Sequence, residues 1–95
     1  MPFDQISASD EDYLRAIYDA GGHHKPVATG DVAGRLNVTP GRVTAALKRL
    51  HEKGLVKYRR YRGAELTSAG QRRALEMVRH HRLIERFLVE FLDYD

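Results

Sequence analysis

Residues 38–54 read as a single helix with both ends marked, and they constrain the fold more than any other stretch. Thr39 suits the capping position, because its hydroxyl can accept a hydrogen bond from an unpaired amide of the first turn. Pro40 follows at the first helical position, where its missing N–H costs nothing. Gly54 stands where a left-handed residue ends a helix. Apolar residues between these ends recur at helical spacing and predict one buried stripe: Val43, Ala46, Leu47 and Leu50.

The opposite face of this helix is small or polar near its start and basic further along. Short side chains let a backbone approach base edges in a DNA major groove, and cations can meet phosphates. Arg42 could read a guanine through two parallel donors, and Thr44 could touch a thymine methyl group or a phosphate. The predicted DNA-contacting residues of this segment are Thr39, Pro40, Gly41, Arg42, Thr44, Ala45, Lys48 and Arg49.

The charge of the chain is concentrated around the same helix. The net charge is only +3 over 95 residues, but residues 35–62 contain nine Lys or Arg and one Glu. That stretch carries +8, between flanks of −4 (residues 1–34) and −1 (residues 63–95). A basic middle between acidic flanks favours a polyanion partner such as nucleic acid. A solvated charged face is the alternative interpretation.

A first helix is predicted to begin with Ser9 as its N-cap and to end at Gly21-Gly22. Carboxylates at positions 10–12 would lie in its first turn, at the positive end of the helix dipole. In the loop that follows, His23 and His24 could in principle bind a metal. Solvent-exposed spacers are the simpler interpretation of this pair.

A short second helix is predicted from Asp31 to Leu36, with Thr29 or Gly30 at its start. Asn37 can adopt the left-handed conformation that leaves a helix. Two short helices joined by about three residues, the second of them basic, form a helix-turn-helix.

After Gly54 the pattern changes to two short strands around residues 59–63, which predicts a β-hairpin, or wing, after the recognition helix. Tyr58 is expected to pack within the hairpin. Tyr61 could donate to a phosphate or pack beneath the wing. Three arginines at the tip are predicted to reach phosphates or a minor groove: Arg59, Arg60 and Arg62.

Thr67 is predicted to cap a last, long helix that runs to about Leu92. Residues 83–92 are apolar on more than one face, which a domain of this size cannot bury alone. A second subunit, or chain beyond residue 95, is expected to cover them. The absence of cysteine, of a signal peptide and of a membrane span favours a cytoplasmic protein that does not contact membranes.

Three segments in order, 11–18, then 54–56 with 61–70, then 81–88, closely resemble the DtxR/MntR family of metal-activated transcriptional repressors. The resemblance implies a homodimer that binds a pseudo-palindromic DNA operator and is activated by Mn²⁺ or Fe²⁺. It also implies a mainly α fold with a small β-hairpin: a winged helix-turn-helix (1–72), then a long helix that begins a dimerisation domain (73–95).

The same resemblance implies metal ligands. Manganese-type members use the positions of Asp12 and His81 in one site, and iron-type members use those of His81 and Glu85 in an ancillary site. Aspartate at 12 suits manganese, whereas Arg15 stands where the manganese type has an acidic ligand. Further ligands are expected beyond Asp95, so the chain alone should bind metal weakly. From spacing alone, Asp12 could be a dipole partner, and His81 and Glu85 an i,i+4 ion pair.

Three other functions compete with a metal-responsive repressor. A winged-helix protein-interaction module would need an apolar or acidic recognition face, which the +8 of residues 35–62 argues against. A metal-dependent hydrolase would need a paired nucleophile and base or an HExxH run, and the sequence has neither. DNA binding without metal control remains open if the chain ends at residue 95.

Overall fold

The computed structural model describes the backbone of residues 7–92, and the side chains of residues 7–79 and of Arg86. The elements follow in the order α1 (Ala8–Asp19), α2 (Thr29–Leu36), α3 (Pro40–Glu52), β1 (Val56–Arg59), β2 (Gly63–Leu66) and α4 (Ser68–Leu92). The prediction of a mainly helical fold with one small hairpin is confirmed. No helix within the described residues is long and apolar enough to cross a membrane.

The recognition helix α3 has the predicted ends and the predicted buried stripe. The Thr39 hydroxyl accepts a hydrogen bond from the Arg42 amide at 3.3 Å, and Pro40 occupies the first turn. Gly54 has a φ of 76°, as a left-handed helix end requires. All four residues of the stripe are fully buried: Val43, Ala46, Leu47 and Leu50. They lock α3 against the rest of the core and leave its other face outward.

Helices α2 and α3 form the predicted helix-turn-helix. Asn37 ends α2 in the left-handed conformation, at φ 54° and ψ 48°. The next amide, of Val38, donates to the Ala33 carbonyl at 3.1 Å. Val32 and Ala33 are buried, so α2 packs its inner side against the core and presents α3 at the surface.

The predicted start of α1 is wrong by two residues. Ser7, not Ser9, is the N-cap: its backbone is extended, and its hydroxyl accepts from the Asp10 amide at 3.1 Å. Ser9 therefore lies inside the helix. Both serines precede the acidic run, so the local pattern did not separate the two possibilities.

The pair of loop histidines is only partly a pair of spacers. His24 is exposed, as expected, but His23 is half-buried. The His23 ring stacks on the Tyr18 ring with 4.3 Å between ring centroids. The centroid of the His24 ring lies 4.0 Å from that of His23. The stack closes the end of α1, which gives His23 a packing role that the sequence did not indicate.

The wing is an antiparallel pair in which Val56 faces Leu66 and Arg59 faces Gly63. A third segment joins it, because Val27 and Ala64 exchange two backbone hydrogen bonds of 2.8 and 2.9 Å. Gly63 permits this approach: its φ is 101°, and a side chain there would overlap the Val27 carbonyl. The start of β2, next to the turn of the wing, is thereby fixed to the loop before α2, a contact that the sequence did not predict.

The long helix α4 begins at the corner where α3 meets the wing. As predicted, Thr67 caps it, accepting from the Gly70 amide at 3.1 Å. The same hydroxyl donates to the Gly54 carbonyl at 2.7 Å. Gly70 lets α4 lie directly on the Leu55 backbone, where any side chain would overlap the carbonyl oxygen. The predicted apolar surface of residues 83–92 lies outside the described side chains.

Candidate nucleic-acid interface

The first half of α3 is an open surface. Thr44 is half-buried, and the other predicted DNA-contacting residues up to Lys48 are exposed: Thr39, Pro40, Gly41, Arg42, Ala45 and Lys48. A shallow recess at this end of the helix is lined by Asn37, Val38, Thr39 and Arg42. Within the described part of the chain, neither Arg42 nor Lys48 lies in an ion pair. This end therefore offers a close backbone approach and uncompensated positive charge together.

The second half of α3 is tied to α1 through one buried carboxylate. Asp10 is only 2% exposed, and its two oxygens lie 3.0 Å from the Arg49 guanidinium and 3.0 Å from the Lys53 ammonium. Burial raises the pKa of Asp10, but the hydrogen bonds and charges of Lys53 and Arg49 outweigh it. The net effect holds that pKa below its usual value. Asp10 is therefore ionised at neutral pH and bridges two helices.

Arg49, one of the predicted DNA contacts, takes part in this bridge. Arg49 was predicted to project with the other cations of α3, but the structure places its guanidinium on Asp10, with half of its side chain exposed. A role of Arg49 in DNA contact stays a prediction. The carboxylate was predicted only as a partner of the helix dipole, because its cationic partners lie 39 and 43 residues further along the chain.

The wing tip is basic and aromatic, as predicted. Its three arginines are exposed, and the turn closes through the Arg62 amide and the Arg59 carbonyl at 3.1 Å. Tyr61 is 92% exposed with a φ of 69°, and the Arg60 guanidinium lies 5.0 Å from its ring centroid. The exposure rules out packing of Tyr61 beneath the wing. Tyr58, in contrast, packs against the core as expected.

A histidine joins the recognition helix to the wing. The Tyr58 amide donates to His51 Nδ1 at 3.2 Å, which links the last turn of α3 to β1. Together with Asp10 on α1, the bond holds the end of α3 from two sides.

The cations of residues 35–62 fall into two groups. Arg35 pairs with Asp31 at 2.9 Å, and two others share Asp10 as described above. Among the described residues, the other six of the nine have no carboxylate partner. These six lie on α3 ahead of Arg49 and along the wing: Arg42, Lys48, Lys57, Arg59, Arg60 and Arg62. All six are exposed, five of them on α3 or at the wing tip, while Lys57 lies opposite Glu65 in the register of the hairpin.

Of the three predicted metal ligands, only Asp12 belongs to the described side chains. Asp12 is exposed on α1, beside a groove between α1 and α2 that is lined partly by Arg15, Asp19 and Arg35. Arg15 reaches toward Asp19 at 3.8 Å, one turn further along α1 and away from Asp12. His81 and Glu85 lie outside the described side chains. No group of three potential metal ligands occurs among the side chains described. The Asp12 carboxylate suits manganese or iron as a hard oxygen donor, but it does not form a site alone.

A winged helix-turn-helix with an open basic face defines a DNA-binding transcriptional regulator. Two family models agree and cover adjacent parts of the chain. Residues 5–64 match "Iron dependent repressor, N-terminal DNA binding domain", and residues 67–95 match "Iron dependent repressor, metal binding and dimerisation domain". The chain belongs to the iron-dependent repressor family, whose members are regulators and not enzymes.

Relatives and solved structures agree with this assignment. The chain is 41% identical over 91 residues to an uncharacterised HTH-type transcriptional regulator of Methanocaldococcus jannaschii, covering 95% of this chain and 73% of that protein. It is 34% identical over 80 residues to MntR of Lysinibacillus sphaericus, covering 84% and 58% of the two chains.

The crystal structure of ScaR with bound Zn²⁺ superposes with a TM-score of 0.77 at 34% identity, over 90% of this chain and 40% of that one. The manganese regulator SloR gives 0.71 at 34% identity, with the same coverage. The chain therefore spans somewhat more than half the length of MntR and about two fifths of ScaR and SloR.

Proposed function

We propose that the protein is a metal-responsive transcriptional repressor that binds a double-stranded DNA operator as a homodimer. The observation that carries this proposal is the sorting of charge. Among the described residues of the basic stretch 35–62, the cations without a carboxylate partner lie on α3 and on the wing, whereas Arg35 pairs with Asp31 and both Arg49 and Lys53 pair with Asp10. A regulator that docks a helix in the major groove and a hairpin on the flanking backbone needs this distribution.

In this proposal the first half of α3 reads bases. Arg42 contacts a guanine through two parallel donors, worth about 1–3 kcal/mol of discrimination. Thr44 contacts a thymine methyl group or a phosphate. Thr39, Pro40, Gly41 and Ala45 keep the helix surface low enough for close approach. The remaining contacts are to phosphates or the minor groove, from Lys48, Arg59, Arg60 and Arg62.

The metal in this proposal is Mn²⁺ or Fe²⁺, held by Asp12, His81 and Glu85. The bound ion would supply positive charge that draws α1 and α4 together, and further ligands would come from the part that longer relatives possess. Names of similar structures, "manganese regulator" for SloR and "manganese-activated repressor" for ScaR, favour manganese. We further propose the domain division at residues 72 and 73, control of metal-homeostasis genes, and a cytoplasmic location.

DNA binding without metal control is the second candidate. It is favoured by Arg15, which stands where manganese-type members have an acidic ligand and which pairs with Asp19 at 3.8 Å. In that case the winged domain would bind its operator regardless of metal.

A titration of duplex DNA over a salt series, with manganese and with chelator, tests both candidates. We expect the logarithm of the binding constant to fall with the logarithm of salt concentration, by about 0.9 for each phosphate contact. A slope near zero would refute DNA binding by this surface. Equal affinity with manganese and with chelator would leave the metal-independent regulator. His81→Ala should abolish the metal response, and an unchanged response would reject that ligand assignment.

The role of Arg42 is tested by binding to a library of operator variants. Arg42→Ala should relax preference at one base pair by about 1–3 kcal/mol, because two donors to one base are lost. Lys48→Ala, on the same helix, should weaken all sequences alike and make the salt slope shallower by about 0.9. If both variants weaken all sequences equally, Arg42 contacts only phosphate.

A further inference from the structure

The cations at the end of α3 lie beside the proposed DNA surface but are paired with a buried carboxylate. Arg49 and Lys53 follow Arg42 by seven and eleven residues, so all three lie on one side of the helix. Arg42 has no carboxylate partner among the described residues, whereas the other two share Asp10. The same helix side therefore changes from uncompensated to compensated charge along its length.

The position of Asp10 is fixed by its own helix. Ser7 caps the first turn of α1, and the neighbouring Glu11 lies 3.9 Å from Arg73 of α4. Tyr13, Leu14 and Ile17 anchor α1 in the core. The carboxylate therefore cannot follow the end of α3 if that end moves toward a ligand, and a phosphate must compete with a carboxylate that stays in place.

The competition favours the internal contact. A carboxylate that is 2% exposed has already lost most of its solvation, and it would lose both charged partners if the two cations left it. The side chains of Arg49 and Lys53 are 51% and 36% exposed, so phosphate could reach them from outside. Asp10 and DNA thus contend for the same two cations.

We propose that Asp10 is an internal competitor of DNA phosphate, which holds Arg49 and Lys53 at the end of the recognition helix and so limits sequence-independent binding. Asp10 acts through these two residues and does not touch DNA, so it is a positioning residue. The consequence is a regulator whose affinity depends more on base contacts from the start of α3 and less on charge alone. This inference rests on the proposed DNA-binding function.

The test uses a duplex without operator sequence, between about 50 and 200 mM salt, where phosphate contacts dominate affinity. Asp10→Asn removes the competing charge and should make the log–log salt slope steeper by up to about 1.8, the value for two further phosphate contacts. Its affinity gain over the unmodified protein should then shrink about tenfold across this range. Asp19→Asn is the matched control: it makes the same charge change on α1 but faces Arg15, and its slope should be unchanged.

Single variants of the two cations test the proposal without removing the carboxylate. Arg49→Gln and Lys53→Gln each leave Asp10 one partner, and each should leave the salt slope of the otherwise unmodified protein unchanged. In the Asp10→Asn background each should reduce the slope by about 0.9. A loss of about 0.9 in the unmodified background would overturn the proposal, because these cations would already contact phosphate. So would an Asp10→Asn slope equal to that of Asp19→Asn.

The unmodified protein separates this inference from the proposed function. A slope near zero there would refute DNA binding itself. A clearly negative slope that Asp10→Asn does not change would refute only the competition by Asp10.

Discussion

The two halves of α3 carry similar residues but are held in different ways. The first half is organised by its own sequence, with the Thr39 hydroxyl as cap and a fully buried stripe beneath it. The second half is held from outside, by Asp10 of α1 on one side and by the Tyr58 amide of β1 on the other. A basic residue is thus available to DNA or committed to the fold according to the element that faces it. Charge pattern alone does not distinguish the two cases.

The largest expected change in stability comes from removing the contacts of Asp10 with the second half of α3. Asp10→Asn should lower the free energy of unfolding by about 1–3 kcal/mol, because two charge-assisted hydrogen bonds are weakened or lost. Because both cations are partly exposed, solvent screening places the expected value in the lower part of that range. Urea unfolding at neutral pH measures the difference. Asp19→Asn, which breaks only an exposed pair, should change it by less than about 0.5 kcal/mol.

The stability difference between the unmodified protein and Asp10→Asn should depend on pH in one direction. The folded-state pKa of Asp10 is lowered, so its contribution is present above the unfolded-state pKa and is lost as pH falls through the folded-state pKa. The difference between the unmodified protein and Asp10→Asn should therefore shrink in acid. A difference that stays constant into strong acid would mean that the lost stability does not come from the carboxylate charge.

The second-largest expected change in stability concerns the cap of the first half of α3. Thr39→Ala should cost about 1 kcal/mol, because the cap hydrogen bond to the Arg42 amide is lost. Hydrogen exchange should accelerate at that amide while the amides near Arg49 keep their protection. Thr29→Ala is a suitable control, since α2 has no side-chain cap at its start. Equal acceleration along the whole of α3 would show that its halves are not held independently.

The smallest effect concerns the contact between α3 and the wing. His51→Ala should cost about 0.5–1 kcal/mol, since one exposed hydrogen bond to the Tyr58 amide is removed. Exchange at that amide should rise, with the first turn of α3 unaffected. Glu52→Ala, at an exposed neighbouring position, should leave the Tyr58 amide unchanged. If the two variants behave alike, the histidine does not hold the wing.

The sequence predicts those features whose causes are local. The ends of α3, its stripe and the αL exit at Asn37 depend on neighbours within one or two turns, and each is confirmed. The bridge from Asp10 spans 39 and 43 residues, and Val27 meets the wing 37 positions away. No helical or strand period relates such pairs. A carboxylate in a first helical turn also fits the dipole rule, so nothing local marked Asp10 as a tertiary partner.

The candidate site divides in the same way. Exposure of Arg42, Lys48 and the wing arginines follows from helical spacing and from a hairpin tip, and the structure places all of them outward. The commitment of Arg49 depends on a helix that precedes it by thirty residues. A metal site depends on ligands from separate elements, and here the resemblance to a family supplied what spacing did not.

Thr67 places a single hydroxyl at the corner shared by three elements. It accepts from the Gly70 amide of α4 and donates to the Gly54 carbonyl, where α3 has ended and the wing has not begun. A displacement of the first turn of α4 either moves the Gly54 carbonyl with it or breaks the 2.7 Å hydrogen bond from the Thr67 hydroxyl. A tilt of α4 would thus shift the end of α3 and the start of the wing together. Serine could preserve that linkage, whereas valine, nearly identical in shape, would sever it.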